Sequence, residues 1–297
     1  MCIKWLMFLA MILFVPFSYL NAETVTLRTE EADIIYEDSL SAVAQEVTKA
    51  NPSVKSELAQ TLQWQVDFRP DIVLAKDSEQ FRKFAGSKII VAYAVPGRNL
   101  IVLDTSRVYA KPFSLEATLK HELCHLLLHG NIEQGELPRW LDEGVCQWAS
   151  GGIAELLSGE EDRALAKAVI YDSLIDIREL NRFPPDEKSL ILAYQESKSI
   201  VEYIVRVYGS QGLLTFLKKL KDGESIHEAA RESFSVSLSG LEKEWRSTLK
   251  RKHTWFLYFS NNIYTVVFTL AGLVTIYGFI RLVKRRRAYK DEEEEDV

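Results

Sequence analysis

The chain is poor in cysteine, with three among 297 residues, which excludes a cysteine-rich framework. Histidine is sparse too, at five. Cys124 lies between two of those histidines but off the helix face that they share, which argues against a Cys–His nucleophile pair. No internal repeat is evident, so a repeat array is excluded. The globular region has no run of basic residues interleaved with aromatics, and the net charge is −6, so nucleic acid is not an expected partner.

What the chain has is 47% hydrophobic residues, enough for a substantial core and for two further apolar segments at its ends. It also has the run His121-Glu122-Leu123-Cys124-His125, followed eighteen positions after its second histidine by Glu143 in Trp140-Leu141-Asp142-Glu143-Gly144. Histidines four apart lie on one helix face about 6 Å from each other, so both imidazoles can bind one ion. Leu115, Leu119, Leu123, Leu126 and Leu127 recur at helical spacing and predict a buried helix over about Ser114–His129. Ser114 is its expected N-cap, with Glu116 in the first turn. His129 continues the spacing, but its Cα lies about 12 Å along the helix from that of His121, too far to share the ion. The alternative zinc-protease pattern needs Gly and His seven and ten positions after the first histidine, where this chain has Leu128 and Asn131. Glu143 remains, on a second helix that opens at Pro138 and can run antiparallel to the first. Two imidazoles, a carboxylate and a general base are the parts of a zinc hydrolase.

These motifs resemble those of the gluzincin peptidases, and among them the exported peptidase MA-like domains, whose pattern is HE-x-x-H followed by W-L-x-E-G. The likeness extends from about Glu23 to Lys252 and includes the run Ala193-Tyr194-Gln195-Glu196-Ser197 leading to Tyr208-Gly209. The resemblance implies a zinc-dependent peptidase of zincin fold, with His121, His125 and Glu143 as zinc ligands and Glu122 as general base. Tyr194 matches a family tyrosine and is the expected donor to the developing oxyanion; a core tyrosine is the alternative. One position departs from the pattern. Many gluzincins carry an acid four residues after the ligand glutamate, where it orients a ligand histidine, and here Gln147 is expected to accept that imidazole N–H instead. A peptide or protein is the implied substrate. The alternative function is a catalytically inactive, membrane-tethered protein-binding module of the same fold.

Cys124 and Cys146 fall on the two motif helices, and an even pair in an exported domain suggests a disulfide, with two small buried thiols as the alternative. Export itself is read from residues 1–22, where Lys4 precedes an apolar stretch reaching about Leu20. At the other end, Ile263 to Ile280 carries no charge and, as a helix, covers about 27 Å, close to the hydrocarbon thickness of a bilayer. Six basic residues follow between Arg281 and Lys290. The expected topology is single-pass, with the catalytic domain periplasmic or extracellular and the tail cytoplasmic. The expected organisation is a signal peptide at 1–22, a zinc metalloprotease domain at 23–252, a juxtamembrane linker at 253–262, a transmembrane helix at 263–283 and a basic then acidic tail at 284–297.

The fold expected of the domain is α+β: a zincin-like small sheet and active-site helix, then a helical subdomain. Strands are predicted at Thr24–Leu27, Asp71–Ala75, Ile89–Val95 and Leu100–Asp104. Leu100–Asp104 is expected to be the antiparallel edge strand beside the histidine helix, or else an ordinary sheet strand. Helices are predicted at Ser39–Ala50, Ser53–Leu62, Glu79–Ala85, Ala154–Tyr171, Glu187–Tyr208, Gln211–Leu220, Ile226–Phe234 and Leu241–Lys252.

Overall fold

The computed structural model describes residues 24–85, 90–111, 113–133, 135–151, 161–261 and 263–295. The expected signal peptide lies outside them, as do Ile89 of an expected strand and the first seven residues of the helix expected from Ala154. The chain divides into two compact units, the first ending at Trp245 and the second beginning at Arg246.

The first unit is α+β. Its sheet comprises β1 (Thr24–Arg28), β2 (Asp33–Glu37), β3 (Asp71–Ala75), β4 (Ala92–Val95) and β5 (Leu100–Asp104), in the order β1-β2-β3-β5-β4. The central strands β2, β3 and β5 run parallel, while β1 and β4 pair antiparallel at the two edges. Leu100–Asp104 is therefore not the edge strand. It runs inside the sheet and is buried from Ile101 to Asp104, as the apolar run Leu-Ile-Val-Leu requires, while the shorter β4 takes the edge and packs beside the histidine helix. The sequence reading also passed over β2, whose alternation buries just Ile34 and Tyr36.

The first helix, α1 (Ser41–Leu62), runs unbroken through Pro52, where two helices were expected. An interior proline costs about 3 kcal/mol. Ala44, Val47, Val54, Leu58 and Leu62 are buried on both sides of it, and that continuous packing holds the two halves together. After α2 (Ser78–Ala85) comes α3 (Leu115–Asn131), which carries the two histidines. The Ser114 side chain accepts from the Ala117 N–H at 3.2 Å, the expected cap. From Leu123 to Leu128 every residue of α3 is buried, because α1, β4 and α4 (Arg139–Ala149) enclose it.

The remaining helices of this unit are α5 (Glu161–Ile170), α6 (Glu187–Lys221), α7 (Ile226–Phe234) and the start of α8 (Leu238–Asn261). Two glycines shape this lobe. Gly209 sits at φ 75° and ψ 166°, a conformation open to glycine, and breaks α6 where the sequence predicted two helices. At Gly144 a Cβ would stand 2.4 Å from the Ser197 carbonyl oxygen, so only glycine lets α4 press its backbone against α6. The second unit contains α9 (Ile263–Glu295), whose stretch Val267–Lys284 is long and apolar enough to cross a membrane.

Candidate metal centre

The fold brings His121, His125 and Glu143 together. The two imidazole Nε2 atoms lie 3.2 Å apart, and Glu143 Oε2 is 3.7 Å from the first and 3.6 Å from the second. Their rings are nearly perpendicular, at 80°, so their lone pairs can converge on one point. All three side chains are buried. Glu143 Oε2 has no hydrogen-bond donor among the described residues, although burying a carboxylate oxygen without one is costly. Atoms bonded at about 2.0–2.1 Å to one tetrahedral ion stand about 3.4 Å from each other, so this trio has the spacing of a zinc site.

Around the trio the positions differ from the sequence reading. Gln147 does not meet a histidine. Its amide Nε2 donates to the Tyr194 carbonyl at 3.1 Å, which turns the side chain toward α6. The carboxylate that holds His125 is Asp142, which accepts from Nδ1 at 2.8 Å, and its other oxygen accepts from His129 Nε2 at 2.9 Å. The Nδ1 hydrogen bond fixes the tautomer that leaves Nε2 of His125 bare toward His121 and Glu143. Burial by itself would push Asp142 up, but the charge and hydrogen bonds of His125 and His129 outweigh it and hold this carboxyl well below its usual range. Asp142 and His129 were the residues that sequence reasoning missed. Their signal was available, since His129 stands one turn beyond His125 and Asp142 directly precedes Glu143.

The other oxygen of Glu143 faces Arg139, whose Nε is 3.6 Å away. The Arg139 guanidinium lies 4.5 Å from the Phe183 ring centre, and Phe183 meets the Tyr194 ring edge-on at 5.1 Å. Tyr194 itself is buried among Ile90, Phe183, Leu190 and Ile191. Glu122 is fully buried beside the histidines on α3. Tyr93, on the edge strand, senses it: burial pushes the Tyr93 phenol up, Arg98 opposes this, and the charge of Glu122 adds to the rise.

Cys124 and Cys146 are free thiols, both fully buried. Cys146 Sγ is 3.5 Å from His125 Nδ1 and 3.9 Å from Asp142 Oδ1, and the expected disulfide is not formed. Burial, Cys124 and the neighbouring acids push the Cys146 thiol up and keep it protonated, unlike an activated nucleophile.

Two solved structures are similar to the chain. One, yeast LTA4 hydrolase in complex with bestatin, is 12% identical with a TM-score of 0.46, over 82% of this chain and 38% of that one. The other, a variant of an M1 zinc metallopeptidase from Deinococcus radiodurans, is 15% identical with a TM-score of 0.45, over 77% of this chain and 51% of that one. The chain thus spans about two-fifths to one-half of the length of these proteins. No curated protein matches it. The profile of the Peptidase MA superfamily matches residues 90–251, more than half of the chain and the whole span from β4 through both motifs into α8. On that match the chain belongs to the Peptidase MA superfamily.

Proposed function

We propose that the protein is a membrane-anchored zinc peptidase in which His121, His125 and Glu143 hold the metal. The observation that carries this reading is the buried trio itself, three ligand atoms 3.2–3.7 Å apart with one carboxylate oxygen lacking any donor among the described residues. When bound, zinc supplies a Lewis acid for the scissile carbonyl and lowers the pKa of water at its fourth position to about 7.

The chain's own residues do the rest. Asp142 keeps the His125 Nε2 lone pair directed at the trio by holding the opposite N–H. Glu122 takes the proton of the attacking water at its carboxylate and returns it to the leaving amine nitrogen. Tyr194, joined to Glu143 through Phe183 and Arg139, is the proposed donor to the oxyanion. An extended peptide can pair along β4, the edge strand among the described residues, whose main-chain groups read length and direction rather than sequence. The helix α9 would tether the enzyme as a single-pass protein, with the first unit outside the cytoplasm and the basic tail inside.

The test uses the full chain in detergent micelles and an unstructured polypeptide as substrate. The expected result is about one zinc per chain in both wild type and Glu122→Gln, with cleavage roughly 100–10,000-fold slower in the variant. Equal cleavage by the two proteins would sink the mechanism. A wild-type chain that takes up no zinc would leave a protein-binding module of this fold as the better reading.

A further inference from the structure

A block of bases and a block of acids follow one another in the second unit. Its helix α9 runs from Ile263 to Glu295, which at 1.5 Å per residue is about 50 Å, while the hydrocarbon layer of a bilayer is about 30 Å thick. The apolar stretch Val267–Lys284 can occupy that layer, and Phe268, Leu273, Val274, Tyr277 and Phe279 on it are each more than half exposed. Past Lys284 the helix continues for about 16 Å. Bases come first along this end, at Arg281, Lys284, Arg285, Arg286, Arg287 and Lys290, and every residue from Asp291 to Glu295 is acidic. We infer that the basic block is a collar that binds the anionic phospholipid headgroups of the leaflet through which α9 leaves the membrane. The collar rests on the proposed reading of α9 as a membrane span and is independent of the metal centre.

A helix by itself favours the reverse order of charge, acids in its first turn and bases in its last, because its dipole is positive at the start and negative at the end. Helical ion pairs do not account for the block either, since no acid stands three or four positions from Arg281, Lys284, Arg285 or Arg286. Lys284 to Arg287 are four consecutive positions, a full helical turn, so these positions are distributed all round the axis. A protein partner reads one face of a helix, whereas a leaflet surrounds it.

The depth fits as well. The collar begins where the apolar stretch ends, at headgroup level, where lysine and arginine donate to phosphate oxygens. Asp291 follows Lys284 by about 10 Å, close to a Debye length at physiological salt, so repulsion between the acids and the leaflet is screened while the bases act at short range. The chain as a whole carries −6, so attraction to an anionic surface belongs to this block and not to the protein at large.

The test reconstitutes the full chain in vesicles of phosphatidylcholine and phosphatidylglycerol, extracts it with mild detergent, and counts the lipids that stay bound by native mass spectrometry. Phosphatidylglycerol is expected at least about tenfold above its share of the vesicle, since each base near the surface contributes about fivefold in affinity. Arg285→Gln, Arg286→Gln and Arg287→Gln together should bring that excess below about twofold. Glu292→Gln, Glu293→Gln and Glu294→Gln together should leave it in place. In the wild type the excess should shrink as salt rises from about 0.05 to 0.5 M, a readout that stands even if the triple arginine variant fails to insert. Equal retention of the two lipids by the wild type overturns the collar. Displacement of phosphatidylglycerol by millimolar inorganic phosphate overturns it too, because the block would then be a site for free anions. So does an excess that survives the three arginine substitutions or is indifferent to salt. A chain that alkaline carbonate washes off the vesicles refutes the span, and the collar with it, whatever its zinc content. A chain that keeps the lipid excess but takes up no zinc refutes the metal reading alone.

Discussion

Two buried carboxylates in this molecule have opposite surroundings. Asp104 ends β5 with both oxygens occupied: Ser78 Oγ donates to Oδ2 at 2.7 Å, the Ser106 N–H and hydroxyl donate to Oδ1, and Arg107 pairs with Oδ2. Glu143 lies across the fold on α4 with Oε2 buried, lacking a donor among the described residues and directed at two imidazole nitrogens. A buried acid whose hydrogen-bonding capacity is filled by the protein holds the protein together. One left partly unfilled, beside other lone-pair donors, is shaped for something the chain does not itself supply. Desolvation opposes the charge of Asp104, and the donors Ser106, Ser78 and Arg107 more than offset it, holding that carboxyl below its ordinary range.

The contrast is sharpest if Glu143→Ala abolishes zinc binding while the chain stays folded. Its affinity for zinc should fall by more than the roughly 10–100-fold that loss of an outer-shell partner costs, as read by chelator competition. Asp104→Asn should do the reverse, lowering stability by about 3 kcal/mol in denaturant titration, because Arg107 loses its counter-charge, while zinc content is kept. Asp104 has a lowered folded pKa, so its stabilisation is complete above the ordinary aspartate range near 4 and is lost as pH falls through the folded value. The Asn variant should lose that acid-range slope. A smaller effect is expected from Asp142→Asn, about 10–100-fold in zinc affinity, with Gln147→Glu leaving affinity unchanged because Gln147 bonds to Tyr194. A Gln147→Glu variant that binds zinc more tightly would return the orienting role to that position. Least of all is expected on zinc content from Tyr194→Phe, which should leave it unchanged and slow cleavage by about 100–1,000-fold, as loss of one oxyanion donor requires. Unchanged cleavage would make Tyr194 a packing residue among Ile90, Phe183, Leu190 and Ile191.

The helix under the histidines was legible because its leucines, its Ser114 cap and its first-turn Glu116 all signal the same 3.6-residue period. The convergence of His121, His125 and Glu143 was legible for a related reason, since helical spacing and an antiparallel second helix leave few other places for the third group. The edge of the sheet was not. Leu100–Asp104 and Ala92–Val95 both read as strands, and which of them lies inside depends on pairing with β3, whose Asp71 meets Leu100 from far earlier in the chain. Pro52 misled for the same reason, because the packing that keeps α1 whole comes from residues distant in sequence.

The sequence by itself determined the motif helices, the spacing that lets the trio converge and the family likeness, all of which depend on residue type and short spacing. Tertiary structure alone decided that Asp142, not Gln147, holds His125. The rotation of α4 is set by Gly144 pressed on α6, and that rotation turns position 142 toward the histidines and position 147 away. Tertiary structure likewise set the Cys146 thiol against His125, because contact between side chains on separate helices is fixed by how the helices pack, which no local spacing encodes.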